Sequence, residues 1–324
     1  MLLLLRHGTI KAAMRRRKTD DRSPRHSSRS NREESGSRRP DRPNRELRRN
    51  PETHREGRSH NGDSRPTRHG GEPRQPHGHP HREGRTDLPV WLYGTHACLA
   101  ALENPARYLR RLVLTKDTLH ELQGRLPPNP QPEVVDRTRL DSLLPPGAVH
   151  QGIAVLADPL DDPGIESLQA EPENGRDLVL LLDHVTDPRN IGAILRSAAA
   201  FGARAVVITD RHAPEATGAL AKAASGGLEV VPLIRVTNLA RALDQLADYG
   251  FWRIGLEMET DKTLAEAVRD IRRVALVLGA EDEGLRRLTR EKCDFLAKLP
   301  MTGAVESLNV SAAAAVALYE CVRG

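Results

Sequence analysis

Three short stretches combine residue types that could bind and align a polar ligand. Asp183 to Ala198 (DHVTDPRNIGAILRSA) has Pro188 and Gly192 to shape a tight loop, an amide at Asn190 and a guanidinium at Arg196. Leu278 to Leu285 (LGAEDEGL) crowds three carboxylates, Glu281 among them, between Gly279 and Gly284, where a backbone can approach closely. Leu299 to Glu320 (LPMTGAVESLNVSAAAAVALYE) leads through a Gly-containing loop to Ser307, Asn309 and Ser311, then into an Ala-rich stretch. Amides, hydroxyls and carboxylates gathered in such loops suit the positioning of reacting groups.

An alternation of short apolar runs and helical patterns must hold these loops. Strands are expected at 178–182, 205–208, 229–234, 252–256, 274–278 and 295–299, with helices near 190–201, 215–224 and 237–248 and a last one from about Ser307 to Val322. Uninterrupted Val, Ile and Leu runs imply strands buried on both faces, and their alternation with helices implies a parallel sheet in an α/β fold. All three stretches follow expected strands, where ligands of parallel α/β sheets bind. Upstream, VWLYGTHACLAAL, RRLVLT, EVVD and IAVLA form a small α/β unit over 89–157. The segment 158–175 reads as a linker, and 176–324 as the larger domain.

Residues 1–87 hold 23 Lys and Arg against 12 Asp and Glu, a net +11, while 88–324 carry a net −6. The stretch 1–88 has almost no large apolar residue after Met14, so a disordered basic tail is expected there, attracted to polyanions such as RNA. Eight of the 13 histidines lie in it without ligand spacing, and Cys98, Cys293 and Cys321 form no CxxC pair. No metal site or disulfide framework is expected, and no span of about 20 apolar residues marks a membrane helix. The expectation is a soluble, cytoplasmic protein. No GxGxxG follows a strand, which leaves a Rossmann-type cofactor site without support. LLLRHGT at Leu3 to Thr9 resembles the opening of the histidine phosphatases, but no ordered helix or catalytic domain follows it, so the match is taken as chance.

In order and spacing the three stretches resemble the three motifs of the SpoU (TrmH-type) branch of the SPOUT RNA methyltransferases, over about 89–324. The bacterial enzymes of that branch that methylate 23S rRNA guanosines at the ribose 2′-oxygen are the most similar. They carry a small RNA-binding domain with YGxHA and HQG sequences, present here as Tyr93-Gly94-Thr95-His96-Ala97 and His150-Gln151-Gly152. The resemblance implies a C-terminal trefoil knot, a homodimer, and S-adenosylmethionine as methyl donor. It implies that Gly279, Leu299 and Leu308 hold the adenosine part through backbone groups, with Leu278 and Met301 packed nearby. It nominates Arg196 as the central catalytic residue with Asn190 beside it, Glu281 to orient Arg196 or a substrate group, and Ser307 and Asn309 to hold ribose or RNA. Each has a plain structural reading too: Asn190 or Ser307 as helix caps, Glu281 as a loop stabiliser. A tRNA substrate and a non-catalytic RNA-binding role remain alternatives.

Overall fold

Apolar residues from Val90 onward build two sheets. The structure, a computed structural model, describes residues 88–172, 175–210, 217–304 and 307–323; apart from Leu88, the tail expected over 1–88 lies outside them. The first sheet comprises β1 (Val90–Tyr93), β2 (Leu109–Leu114), β3 (Pro132–Val134) and β4 (Ile153–Ala157), in spatial order β1-β4-β2-β3. β4 pairs antiparallel with β1 and β2, and β3 joins β2 in parallel at the edge, where Pro132 can begin a strand despite its missing N–H. Helices α1 (Thr95–Glu103), α2 (Lys116–Glu121) and α3 (Arg137–Ser142) link these strands.

The second sheet is parallel throughout. Its strands are β5 (Asp177–Asp183), β6 (Ala205–Thr209), β7 (Leu233–Val236), β8 (Trp252–Leu256), β9 (Arg273–Gly279) and β10 (Phe295–Ala297), in spatial order β10-β8-β9-β5-β6-β7. Helices α4 (Pro188–Ala200), α5 (Gly218–Ala224), α6 (Gly227–Val230), α7 (Leu239–Asp248), α8 (Leu264–Ala267), α9 (Arg287–Glu291) and α10 (Val310–Arg323) surround it. Alternate residues of the central strands feed two apolar layers. Leu178, Leu180 and Leu182 pack with Leu276 and Leu278 against Ile191 and Ile194 of α4 and Ala314 and Leu318 of α10. Val179, Leu181 and Val277 pack with Leu239, Leu243 and Leu246 of α7 on the other face. Burying each such side chain contributes about 1.5–3 kcal/mol, which explains why these strands tolerate no polar residue between their ends.

Two sequence expectations shift. The strand expected at 229–234 is instead the short helix α6 followed by β7 from Leu233. Gly226, at φ +97°, starts the helical turn, a Cβ on Gly227 would meet the Leu195 carbonyl oxygen at 2.7 Å, and Pro232 has no N–H for a ladder. The last helix begins at Val310 rather than near Ser307.

The small unit is fastened to the larger one. Leu92, Cys98, Leu112 and Ile153 belong to the same apolar cluster as Leu180 and Leu220. Gly218 lies so close under β1 that a Cβ would meet the Trp91 carbonyl oxygen at 2.2 Å and the Tyr93 ring at 2.5 Å. Beside them Arg107 and Glu229 form an almost fully buried ion pair, with Arg107 Nε donating to Oε2 at 3.1 Å and Asn104 Nδ2 donating to the same oxygen at 2.8 Å. The connecting segment is packed as well at 165–168: Ile165 and Leu168 are buried, and the Leu168 carbonyl accepts from Arg273 Nη2 at 2.7 Å.

Candidate active site

β5 and β9 lie side by side in register, Asp183 opposite Gly279, so their loops leave the sheet from adjacent points. Buried Asp183 accepts from Arg286 N at 2.9 Å and Nε at 2.6 Å, which pins the chain after the second loop to the end of β5. The first loop turns into α4 at Asp187, whose carboxylate caps the helix by accepting from Arg189 N at 2.8 Å, with Pro188 preset as the first helical residue. Asn190 is therefore not the cap; it sits in the first turn with its side chain free for other work.

The second loop folds back sharply. Gly284, at φ +63°, donates its N–H to the Ala280 carbonyl at 2.9 Å. A Cβ on Gly279 would lie 2.1 Å from the Gly284 carbonyl carbon. Glycine is needed there because the loop's own backbone fills that space.

Glu281, at the tip of this loop, gathers the other two motifs. Its Oε1 accepts from Asn309 Nδ2 at 2.6 Å, Val310 N at 3.1 Å and Asn190 Nδ2 at 3.4 Å. Asn309 Nδ2 also donates to Asn190 Oδ1 at 3.2 Å, and Asn309 Oδ1 accepts from Ser311 N at 3.0 Å and Ser311 Oγ at 2.6 Å. Asn309, not Ser307, thus caps α10. Both ends of its amide are occupied. Glu281 grips Asn190, Asn309 and the start of α10, and among the described residues has no hydrogen bond or ion pair with Arg196.

Beside this hub lies an open cavity of about 180 Å³ between the ends of β8 and β9 and the start of α10. Leu278, Gly279, Leu299, Met301 and Leu308 all line it, and Glu281 and Ser307 stand at its edge. Its walls are largely leucine and methionine, a setting for a flat heteroaromatic ring with peptide groups at the rim. Leu256 at the end of β8 and Glu257 and Met258 just after it also line the wall and were not anticipated. The rule that ligands gather at strand carboxyl ends could have found them, since β8 is the neighbour of β9. A second cleft, lined by Thr209, Asn238, Arg286 and Thr289, is more polar and contains none of the expected site residues.

Arg196 stands apart. Six residues beyond Asn190 on α4, it is about 9 Å further along the axis and on a different face. It is exposed and has no hydrogen bond or ion pair among the described residues. Burial pushes the Cys293 and Cys321 thiols up to about 12 and raises Cys98 further, so the cysteines are unsuited to nucleophilic work. Among the described residues no group of three or more His, Cys, Asp or Glu could hold a metal ion, and no helix is long and apolar enough to cross a membrane.

Comparison with known proteins bears on the family and the fold. Residues 177–319 match the profile of the SpoU rRNA Methylase family, and residues 91–163 match that for RNA 2'-O ribose methyltransferase substrate binding. The chain is 41% identical over 244 residues to the 23S rRNA (guanosine-2'-O-)-methyltransferase RlmB of Pseudomonas aeruginosa, covering 72% of this chain and 95% of that protein. It is 42% identical over 243 residues to the protein of the same name from Photorhabdus laumondii, covering 72% and 97%. The crystal structure of the SpoU methyltransferase AviRb from Streptomyces viridochromogenes shares the fold, with a TM-score of 0.60 at 24% identity over 72% of this chain and 89% of that one. A putative RNA methyltransferase of the TrmH family from Porphyromonas gingivalis gives a TM-score of 0.57 at 26% identity, over 73% and 90%.

Proposed function

Because the chain belongs to the SpoU rRNA methylase family, we propose that it transfers a methyl group from S-adenosylmethionine to the ribose 2′-hydroxyl of a guanosine in 23S rRNA. The observation that carries this reading is the convergence of three distant motifs on Glu281, beside a cavity lined by all five residues expected to hold the cofactor. The names of the curated relatives supply the substrate.

The cavity fits the cofactor by its chemistry: leucine and methionine walls suit the adenine ring, and backbone groups at Gly279, Leu299 and Leu308 suit its polar edge. When bound, the cofactor supplies a methyl carbon already activated by its sulfonium. The protein's task is then to align the acceptor oxygen and assist loss of one proton. Ser307, at the cavity edge, is the residue of the third motif left to touch the ribose; Asn309 has no free amide valence and acts by positioning Glu281 and Asn190. Arg196 holds the adjoining phosphate and stabilises charge on the developing alkoxide, since a guanidinium stays protonated.

A homodimer and a C-terminal trefoil knot belong to the same reading, as does a cytoplasmic location. The homodimer draws support from unpaired Arg196 and from Val316, Tyr319 and Val322, an exposed apolar stripe on α10; Ala314 and Ala317 are consumed by the chain's own core. The knot draws support from the β10-β8-β9-β5 order and from α10 packing on α4.

The test is transfer of tritium from labelled S-adenosylmethionine to total RNA, followed by 2′-O-methyl mapping. Label at one guanosine of 23S rRNA is expected. Label confined to tRNA would replace the substrate, and no label would leave an RNA-binding protein without transfer activity.

A further inference from the structure

We infer that Arg189 is a second phosphate-binding residue, which together with Arg196 forms a two-cation track along α4 for the RNA backbone beside the target ribose. This rests on the methyl-transfer reading above. Positions 189 and 196 are seven residues apart, so they project within about 20° of one another and about 10 Å apart along the helix. Both are exposed, and neither guanidinium has a hydrogen bond or ion pair among the described residues. Arg204, Arg273 and Arg286, by contrast, are each held by a carboxylate. The nearest acidic group in sequence, Asp187, uses its carboxylate on the α4 cap. Along the same face the intervening and following residues are Ala193 and Ala200, so no tall side chain separates the cations from a strand laid on the helix.

That side of α4 borders the junction with the small unit. Gly192 packs under α5, where a Cβ would meet the Leu220 carbonyl oxygen at 2.5 Å, and Gly227 of α6 packs on the backbone of Leu195 and Arg196. α5 and α6 also carry the small unit, through Gly218 against Tyr93 and Glu229 against Arg107. The Arg189 charge reaches Tyr93, lowering a phenol pKa that burial raises above its ordinary value. The track therefore starts at the Tyr93-Gly94-Thr95 stretch of the RNA-binding unit and ends at Arg196. Unpaired, evenly faced guanidinium groups match the repeated charges of a phosphodiester chain, and such contacts place an RNA without reading its sequence.

Arg189→Ala, Arg189→Lys and Arg189→Glu in the full chain test this, since an exposed, unpaired position tolerates all three. The probe is a 23S rRNA transcript, and S-adenosylhomocysteine binding serves as the control. Arg189→Ala should raise KM about tenfold at low salt and lower the slope of log affinity against log salt by roughly one, with kcat and S-adenosylhomocysteine affinity within about twofold. Arg189→Lys should recover most of the loss, because a phosphate accepts a point charge, and Arg189→Glu should be worse than alanine. An unchanged salt slope, or a fall in kcat with KM unaltered, overturns the proposal. If the wild-type protein methylates no transcript, the functional reading fails, while the salt slope still decides for or against Arg189 as a phosphate ligand.

Discussion

Replacing Glu281 by alanine should loosen the cavity proposed for the cofactor without unfolding the protein. Its Oε1 accepts from Asn309 Nδ2 at 2.6 Å and Val310 N at 3.1 Å, while Asn190 at 3.4 Å is too far to add much. A hydrogen bond to a charged group contributes about 1.5–3 kcal/mol when sheltered. Glu281 is exposed, so competition from water reduces each to about 0.5–1 kcal/mol. Two bonds then give about 1–2 kcal/mol, all of it holding the start of α10 against the loop after β9. Ala314, Ala317, Leu318 and Cys321 keep the rest of α10 buried in the core. The loss therefore falls on the cavity wall at Ser307 and Leu308. At about 1.4 kcal/mol per factor of ten, S-adenosylhomocysteine affinity should fall about five- to thirtyfold by isothermal titration, with one cooperative melt retained. An affinity unchanged within twofold, together with turnover lowered a hundredfold, would show that Glu281 acts on the RNA and refute this reasoning.

Arg196→Ala should alter stability by less than about 0.5 kcal/mol, because the residue is exposed and unpaired, yet reduce methyl transfer at least about 10²-fold; near-normal turnover would remove it from its role. Gly279→Val should abolish cofactor binding by pushing the Gly284 backbone aside, and a folded variant that still binds would mean the turn does not shape the cavity. Glu229→Ala should cost about 3–5 kcal/mol by stranding buried Arg107; an unaltered melting temperature would show the junction is open in solution. Removing residues 1–87, with their net +11, should leave the methylated nucleotide unchanged and lower RNA affinity most at low salt. A different target, or a loss independent of salt, would make that tail a specific recognition element.

Much of the architecture is legible because each central strand is buried on both faces, so β5 and β9 appear as unbroken apolar runs. GLEVVPLI misleads for a physical reason: its β-branched residues favour a strand, but the close approach of Gly227 to α4 selects a helical turn. The approach of Asn190 to Glu281 follows from their loops leaving the neighbouring strands β5 and β9, whereas the loop of Asn309 leaves β10 at the sheet edge, two strands from β9, and had no such signal. Their partners had none either, since the capping roles of Asp187 and Asn309 depend on where each helix starts. Arg107 and Glu229 are 122 residues apart, with no local pattern to announce the pairing. Glu257 follows an unremarkable strand and enters the wall only because β8 lies next to β9.

The hub at Glu281 also constrains when the protein becomes competent during synthesis. It joins Asn190 and Asn309 across 119 residues, and Glu281 to Asn190 across 91, so closing it requires very long loops to be organised first. Such distant pairings form late, after the local helices and neighbouring strands. Motif three, 299–320, follows the last strand of both sheets, β10, in the chain. A chain still emerging from the ribosome therefore has its small unit and most of the sheet available for folding long before the cavity wall at Leu299, Ser307 and Leu308 exists. Because Ala314, Ala317 and Leu318 of α10 cover the same apolar layer as Leu180, Ile191 and Ile194, that face of the sheet is sealed only when the cavity wall is built, so core and cavity are completed in one late step.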